Sequence, residues 1–170
     1  VECGVWRGGM SAGIATLLGQ HRDYWLFDSF QGLPPAQPID GESAIRYQSD
    51  PSGPWYFDNC TADEGYAQRA MALSEAMRVH IVKGWFHETV HRAEVDRIAL
   101  LRLDGDWYES TMTCLEAFYP KLAPGGLTII DDYYTWDGCA RAVHDYLSRN
   151  GSADRIHQSE GGNAYIVKSS

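Results

Sequence analysis

Val1-Glu2-Cys3-Gly4-Val5-Trp6-Arg7-Gly8-Gly9 opens the chain, and its reading decides the fold. Val1–Val5 reads as a strand that runs into the glycine-rich turn Arg7-Gly8-Gly9, and Ser11–Leu18 follows with apolar residues at helical spacing. A strand passing through a glycine turn into a helix is the first half of a parallel crossover unit. The same alternation repeats outward from there. Strands are expected at Tyr24–Asp28, Val79–Val82, Ile98–Asp104 and Leu127–Ile130, and helices at Ala62–Met77, Ser110–Leu122 and Gly138–Arg149. Pro124-Gly125-Gly126 is expected as a turn ahead of the fifth strand. Arg155–Gln158, Gly161-Gly162 and Ala164–Val167 read as an antiparallel hairpin closed by glycines.

The expected architecture is α/β and Rossmann-like: a seven-stranded, mostly parallel sheet of order 3-2-1-4-5-7-6, with flanking helices and an antiparallel C-terminal strand. No repeat or linker divides residues 1–170, so a single domain is expected. Residues 29–60, rich in Pro, Gly and Asp and carrying Trp55, Tyr56 and Phe57, are too long for an ordinary connector. They are read as a loop that forms a lid or acceptor-binding insertion over the site.

Composition narrows the class. The 170 residues can bury a core without disulfides, and 44 % hydrophobic with 22 % charged residues is the ordinary globular balance. A formal net charge of -9, with no basic stripe to displace counterions, argues against nucleic acid as a partner. The longest apolar runs are strand-length, so neither a signal peptide nor a membrane partner is expected. The cysteines at 3, 60, 114 and 139 lack CxxC spacing, which fits a reducing cytoplasm better than a disulfide framework. Cys3, Cys114 and Cys139 fall in strand or helix segments and are expected to pack in the interior. The chain begins on a strand and without Met, so residues ahead of Val1 are expected.

Three groups of residues could carry chemistry. The first is the opening loop, whose acid-x-Gly-x-x-x-Gly spacing at Glu2, Gly4 and Gly8 is not the GxGxxG that cradles a pyrophosphate. An acid at its head suits a ligand with a cationic amino-acid part, such as the methionine moiety of S-adenosylmethionine. A glycine turn that merely starts a helix is the plain alternative. The second is Asp28 at the end of the second strand, roughly 20 residues beyond the loop, where nucleotide-binding sheets place a carboxylate on ribose hydroxyls. A turn residue or helix cap is its plain alternative.

The third group is the strongest. Asp104 and Asp106 follow one buried apolar run and Asp131 and Asp132 another, at the carboxyl edge where parallel sheets bind ligands. Carboxylates that converge there repel one another unless a cation sits among them, and an all-oxygen set favours Mg²⁺ first, with Mn²⁺ or Ca²⁺ as alternatives. Gly84, Trp85 and Phe86 follow the third strand, where aromatic rings could stack on a base or line an acceptor pocket, or simply pack against a helix. His87 and His91 lack the HExxH pattern of a zinc site, and neither a P-loop nor a Gly-x-Ser-x-Gly elbow is present.

Glu2 through Gly9, Phe27 through Pro34, Lys83 through Phe86, Leu101 through Thr111, Tyr119 through Gly126 and Asp131-Asp132-Tyr133 together resemble the macrocin O-methyltransferase family. These motifs run in order along nearly the whole chain. The resemblance implies the class I methyltransferase form of the fold and methylation of a sugar hydroxyl in antibiotic biosynthesis, with a glycosylated small molecule as acceptor. It implies S-adenosylmethionine held by Glu2, Gly4, Gly8, Asp28, Ser29, the Gly84–Phe86 turn and Asp104. It further implies Mg²⁺ held by Asp104, Asp131 and Asp132, and a base drawn from the same acids, Asp106 before Asp104. A homo-oligomer stays open. Two departures stand out: the family's helices ahead of the first strand are missing, and Thr89-Val90-His91 replaces its usual Thr-Leu-Pro. Two other functions remain in view, the same metal chemistry on a catechol-like phenol and a non-catalytic cofactor-binding module. A nicotinamide dehydrogenase is disfavoured by the glycine spacing.

Overall fold

A computed structural model describes residues 1–169. In chain order the elements are β1 (Glu2–Cys3), α1 (Gly9–Leu18), β2 (Asp23–Asp28), α2 (Glu42–Ser49), α3 (Glu64–Leu73), β3 (Arg78–Lys83), α4 (Phe86–Thr89), β4 (Ile98–Leu103), α5 (Tyr108–Phe118), β5 (Leu122–Ile130), α6 (Asp137–Arg149), β6 (Ile156–Gln158) and β7 (Ala164–Val167). The seven strands form one sheet of order β3-β2-β1-β4-β5-β7-β6. The first five in that row run parallel, and β7 is antiparallel to both β5 and β6. The expected order and the reversed last strand are both present.

Both faces of the sheet are buried, as a parallel sheet requires. Leu26 and Phe27 are neighbours on β2 and go to opposite sides. Leu26 packs with Ala15, Ala67 and Met71 beneath α1 and α3, while Phe27 joins Leu103, Leu115 and Phe118 beneath α5. On α6 the buried residues Cys139, Ala142, Val143, Tyr146 and Leu147 recur at the three- and four-residue spacing of a single apolar stripe. Cys3, Cys114 and Cys139 are interior, as expected.

Several boundaries differ from the sequence reading, each for a physical reason. β1 has two residues rather than five because Gly4 turns the chain at φ +88° against β4. A Cβ on Gly4 would lie 1.7 Å from the Asp104 carbonyl oxygen, so only glycine fits that crossing. Pro124-Gly125-Gly126 is not a turn but a bulge inside β5. The ladder pairs Ile98 with Leu122 and then Leu100 with Leu127, while Gly125 donates to the Lys168 carbonyl and Lys168 to that of Gly126. Residues 29–60 are not wholly loop: they hold α2 and single turns at Pro38–Asp40 and Asp58–Cys60. That helix escapes pattern reading because it buries only Ala44. α3 stops at Leu73, ahead of Glu75 at φ 58°, and not at Met77. Among the described residues, no helix is long and apolar enough to cross a membrane.

Candidate active site

The carboxyl ends of β1, β2, β3 and β4 open into a cavity of about 630 Å³. Its floor is the opening loop. Asp28, at the end of β2, reaches across to that loop: Oδ2 accepts the backbone N–H groups of Val5 and Trp6 at 2.7 Å, and Oδ1 accepts that of Phe30 at 2.6 Å. A carboxylate has about four lone-pair sites, so Asp28 shapes the loop and keeps capacity for a further donor. Gly84 donates its N–H to the Asp28 carbonyl at 2.9 Å, which sets the turn that delivers Trp85 and Phe86 to the cavity wall.

At the other end of the floor a buried charge network spans three strands. Arg102 on β4, 5 % exposed, donates through Nη1 to Glu2 Oε1 at 2.6 Å and Asp104 Oδ2 at 2.8 Å, and its Nη2 lies 2.9 Å from Asp131 Oδ1. Register explains the meeting. Arg102 sits beside Glu2 on one flank and Ile129 on the other, and Asp104 and Asp131 each lie two residues further along, on the same face. Burial alone would weaken the guanidinium's hold on its proton, but the carboxylates of Asp104, Glu2 and Asp131 more than reverse this and keep it charged. Glu2 is pushed up to about 7 by burial, against the pull of Arg102, and its second oxygen accepts the Ser11 hydroxyl.

Asp132 lies past the end of β5 and escapes the strand's alternation. One carboxylate oxygen from each of Asp104, Asp106 and Asp132 lies within 4.8 Å of the others. The Asp106 backbone N–H donates to Asp132 Oδ2 at 3.0 Å, and Trp136 Nε1 donates to Asp106 Oδ1 at 2.9 Å. Asp106 itself holds φ 58°, a left-handed conformation that aspartate tolerates better than most residues. Burial first, and then the charge of Asp104, push Asp106 up to about 7. Burial and the neighbouring acids likewise raise Asp132 and Asp104, Arg102 opposing the shift at Asp104. Three carboxyls crowded together in a half-buried cleft are a donor set suited to a hard divalent cation.

The residues singled out in the sequence thus separate. Gly4, Asp28, Ser29, Trp85, Phe86, Asp104 and Asp106 line the cavity. Glu2 does not: it is 4 % exposed and engaged by Arg102 and Ser11. Gly8 is a packing glycine, since a Cβ there would meet the Ala67 backbone at 2.7 Å. Asp131, expected beside Asp104 and Asp132, is turned to Arg102 and to Asn163, whose Nδ2 donates to it at 2.7 Å, while Asp106 takes the third place in the cluster. The 29–60 segment contributes Leu33, Pro34, Gln37, Asp40 and Cys60 to the wall. It is pinned by Trp107 Nε1 on the Pro34 carbonyl at 2.8 Å and by Asp40 Oδ1, which accepts the Tyr108 N–H opening α5 at 2.7 Å. Cys60 is the half-buried thiol of this wall, and burial pushes it up to about 11 despite a contact with the Tyr47 hydroxyl. Sequence reasoning missed Arg102, Asp40 and Trp136. Only Arg102 left a signal, a cation inside the apolar run Leu100–Leu103.

Sheet order, the glycine crossing at β1 and a ligand-sized cavity at the carboxyl edge define a class I methyltransferase fold. Residues 1–166 match the profile of the macrocin-O-methyltransferase (TylF) family, and the chain belongs to that family. It is 38 % identical over 95 % of its length to an 8-demethyl-8-(2,3-dimethoxy-alpha-L-rhamnosyl)-tetracenomycin-C 4'-O-methyltransferase of Streptomyces olivaceus. It is 35 % identical over 92 % of its length both to a mycinamicin III 3''-O-methyltransferase of Micromonospora griseorubida and to a demethyldecarbamoylnovobiocin O-methyltransferase of Streptomyces niveus. The chain spans 62 %, 63 % and 60 % of those three proteins' own lengths. Among solved structures, the O-methyltransferase NovP superposes with a TM-score of 0.84 at 30 % identity, covering 99 % of this chain and 71 % of NovP. The calicheamicin methyltransferase CalS11 gives 0.74 at 25 % identity, over 98 % of this chain and 70 % of that one.

Proposed function

We propose that this protein is an S-adenosylmethionine-dependent O-methyltransferase that methylates a sugar hydroxyl of a glycosylated natural product, assisted by Mg²⁺. The observation that carries the reading is the convergence of Asp104, Asp106 and Asp132 at the carboxyl edge of the sheet, with Asp104 and Asp106 lining the same cavity as Asp28 and Trp85 and Asp132 buried behind them. The relatives support the acceptor class, since their names place rhamnosyl tetracenomycin, mycinamicin and novobiocin compounds as substrates. A sugar diol and a catechol both offer paired oxygens, and it is the relatives that favour the sugar. Four unpaired cysteines suit a reducing, cytoplasmic setting.

When bound, S-adenosylmethionine supplies an electrophilic methyl group on a sulfonium, and a divalent ion supplies Lewis acidity to an acceptor oxygen. The chain does the rest. Asp28 and the opening loop would hold the ribose, and Trp85 and Phe86 would offer aromatic surface to the base or to the acceptor. Asp104 and Asp132, common to the expected set and to the observed cluster, would hold the ion. Asp106 takes the proton of the acceptor hydroxyl at its carboxylate, Trp136 fixing the group's orientation through Oδ1. Residues 29–60 act as the lid or acceptor-binding wall that keeps water from the sulfonium.

The test is turnover of labelled S-adenosylmethionine by the full-length protein over a panel of glycosylated natural products and catechols, with Mg²⁺ or with excess chelator. Transfer to glycosides that stops in chelator and resumes with Mg²⁺ is expected. Transfer to catechols alone, cofactor binding without transfer, or full activity in chelator would each overturn it. Asp132→Asn should cost activity far more than cofactor affinity, and the Mg²⁺ affinities of Asp106→Asn and Asp131→Asn, read by calorimetry without acceptor, identify which carboxylate completes the ion's donors.

A further inference from the structure

We infer that Arg102 is the positioning residue of the acidic site, holding Asp104 in the orientation from which it meets the cation. This inference rests on the proposed metal role of Asp104. The guanidinium is nearly sealed from solvent, and it joins carboxylates from the ends of three adjacent strands: Glu2 of β1, Asp104 beyond β4 and Asp131 beyond β5. It takes Asp104 by Oδ2, which leaves Oδ1 free of the guanidinium and available to a cation shared with Asp106 and Asp132. A planar guanidinium fork with fixed donor directions on separate nitrogens can set a carboxylate's angle, whereas the compact, freely rotating ammonium of lysine does not. Glu2 and Asp131 serve as the fork's other anchors. Ser11 steadies Glu2 and Asn163 steadies Asp131, so the guanidinium has one place to sit. Residues that orient a metal-binding side chain in this way act on affinity for the ion, not on the adenosine end of the cavity.

Arg102→Lys keeps the positive charge and removes the fork. Titration calorimetry of the full-length variant is expected to show Mg²⁺ affinity lowered by about ten- to a hundredfold, with S-adenosylmethionine affinity within about threefold of wild type. Equal Mg²⁺ affinity in variant and wild type would overturn the inference and leave the metal reading standing. Loss of both affinities in parallel would show a purely structural role and also overturn it. A wild-type protein that takes up no Mg²⁺ sinks both readings. Should the variant fail to fold, the wild-type crystal structure soaked in Mn²⁺ decides. Arg102 Nη1 still on Asp104 Oδ2 with the ion on Oδ1 supports the inference, and an Asp104 swung away from Arg102 overturns it.

Discussion

Asp28 has two duties at one position. Its oxygens accept three backbone N–H groups that give the opening loop its shape, and in the proposed function the same carboxylate meets the ribose. Asp28→Ala removes both. S-adenosylmethionine affinity should fall by about 1–3 kcal/mol for the lost charge-assisted bonds, and the melting temperature should fall with it because the loop loses its anchor. Unchanged affinity by calorimetry would contradict the ribose role; unchanged melting would contradict the anchoring. At this scale the sequence was legible where a residue's meaning follows from its own strand. Gly4 and Asp28 stand at strand ends, and Asp104 follows a buried run. Arg102 and Asp131 were not, because their meaning depends on which strands lie alongside. Asp131 keeps the alternation of β5 and so faces Arg102, whereas Asp132 has left the strand.

The acidic edge built by β1 and the ends of β4 and β5 has its own pH signature. Glu2 and Asp106 are raised to about 7, and Asp104 and Asp132 are raised as well. Groups whose folded values lie above their unfolded ones contribute stability that is present in full below about pH 4 and is lost as pH rises through the raised value, about 7 for Glu2 and Asp106. A divalent ion replaces the missing protons. Saturating Mg²⁺ should therefore raise the thermal midpoint more at about pH 8 than at about pH 5.5, read by calorimetry without any acceptor. A larger effect at the lower pH would contradict the cluster as an ion site. Element boundaries were the least legible feature of the sequence. α2 is held by tertiary bonds from Gln48 to Ala36, Pro34 and Asn59 rather than by an apolar stripe, and the glycines of β5 read as a turn until Lys168 pairs with them.

Across the whole molecule, the fold was readable because alternation of strand and helix constrains a parallel sheet so tightly. What alternation cannot show is how the chain's far end is secured. Asp154, after α6, collects the hydroxyls of Tyr119 and Ser152 and both the N–H and hydroxyl of Ser169. Burial pulls its carboxyl upward, but those donors outweigh it and hold the group well below the usual carboxylate range. Its stabilisation is present above about pH 3.9 and is lost as pH falls through the depressed folded value. Asp154→Asn should cost about 1–2 kcal/mol in urea unfolding at neutral pH, with the gap to wild type closing in strong acid. A gap that widens in acid would contradict the assignment.

Cys60 brings a sulfur nucleophile to the wall of a cavity proposed to hold an alkylating agent. Sulfur ordinarily outcompetes oxygen for such a reagent, but only as the thiolate. With the thiol pushed up to about 11 by burial, little of it is ionised at neutral pH, and in the proposed function this disfavours alkylation of the cavity's own wall. Intact mass spectrometry after long incubation with S-adenosylmethionine alone should show Cys60 unmodified at neutral pH, with an added methyl appearing there only as the buffer is made strongly alkaline.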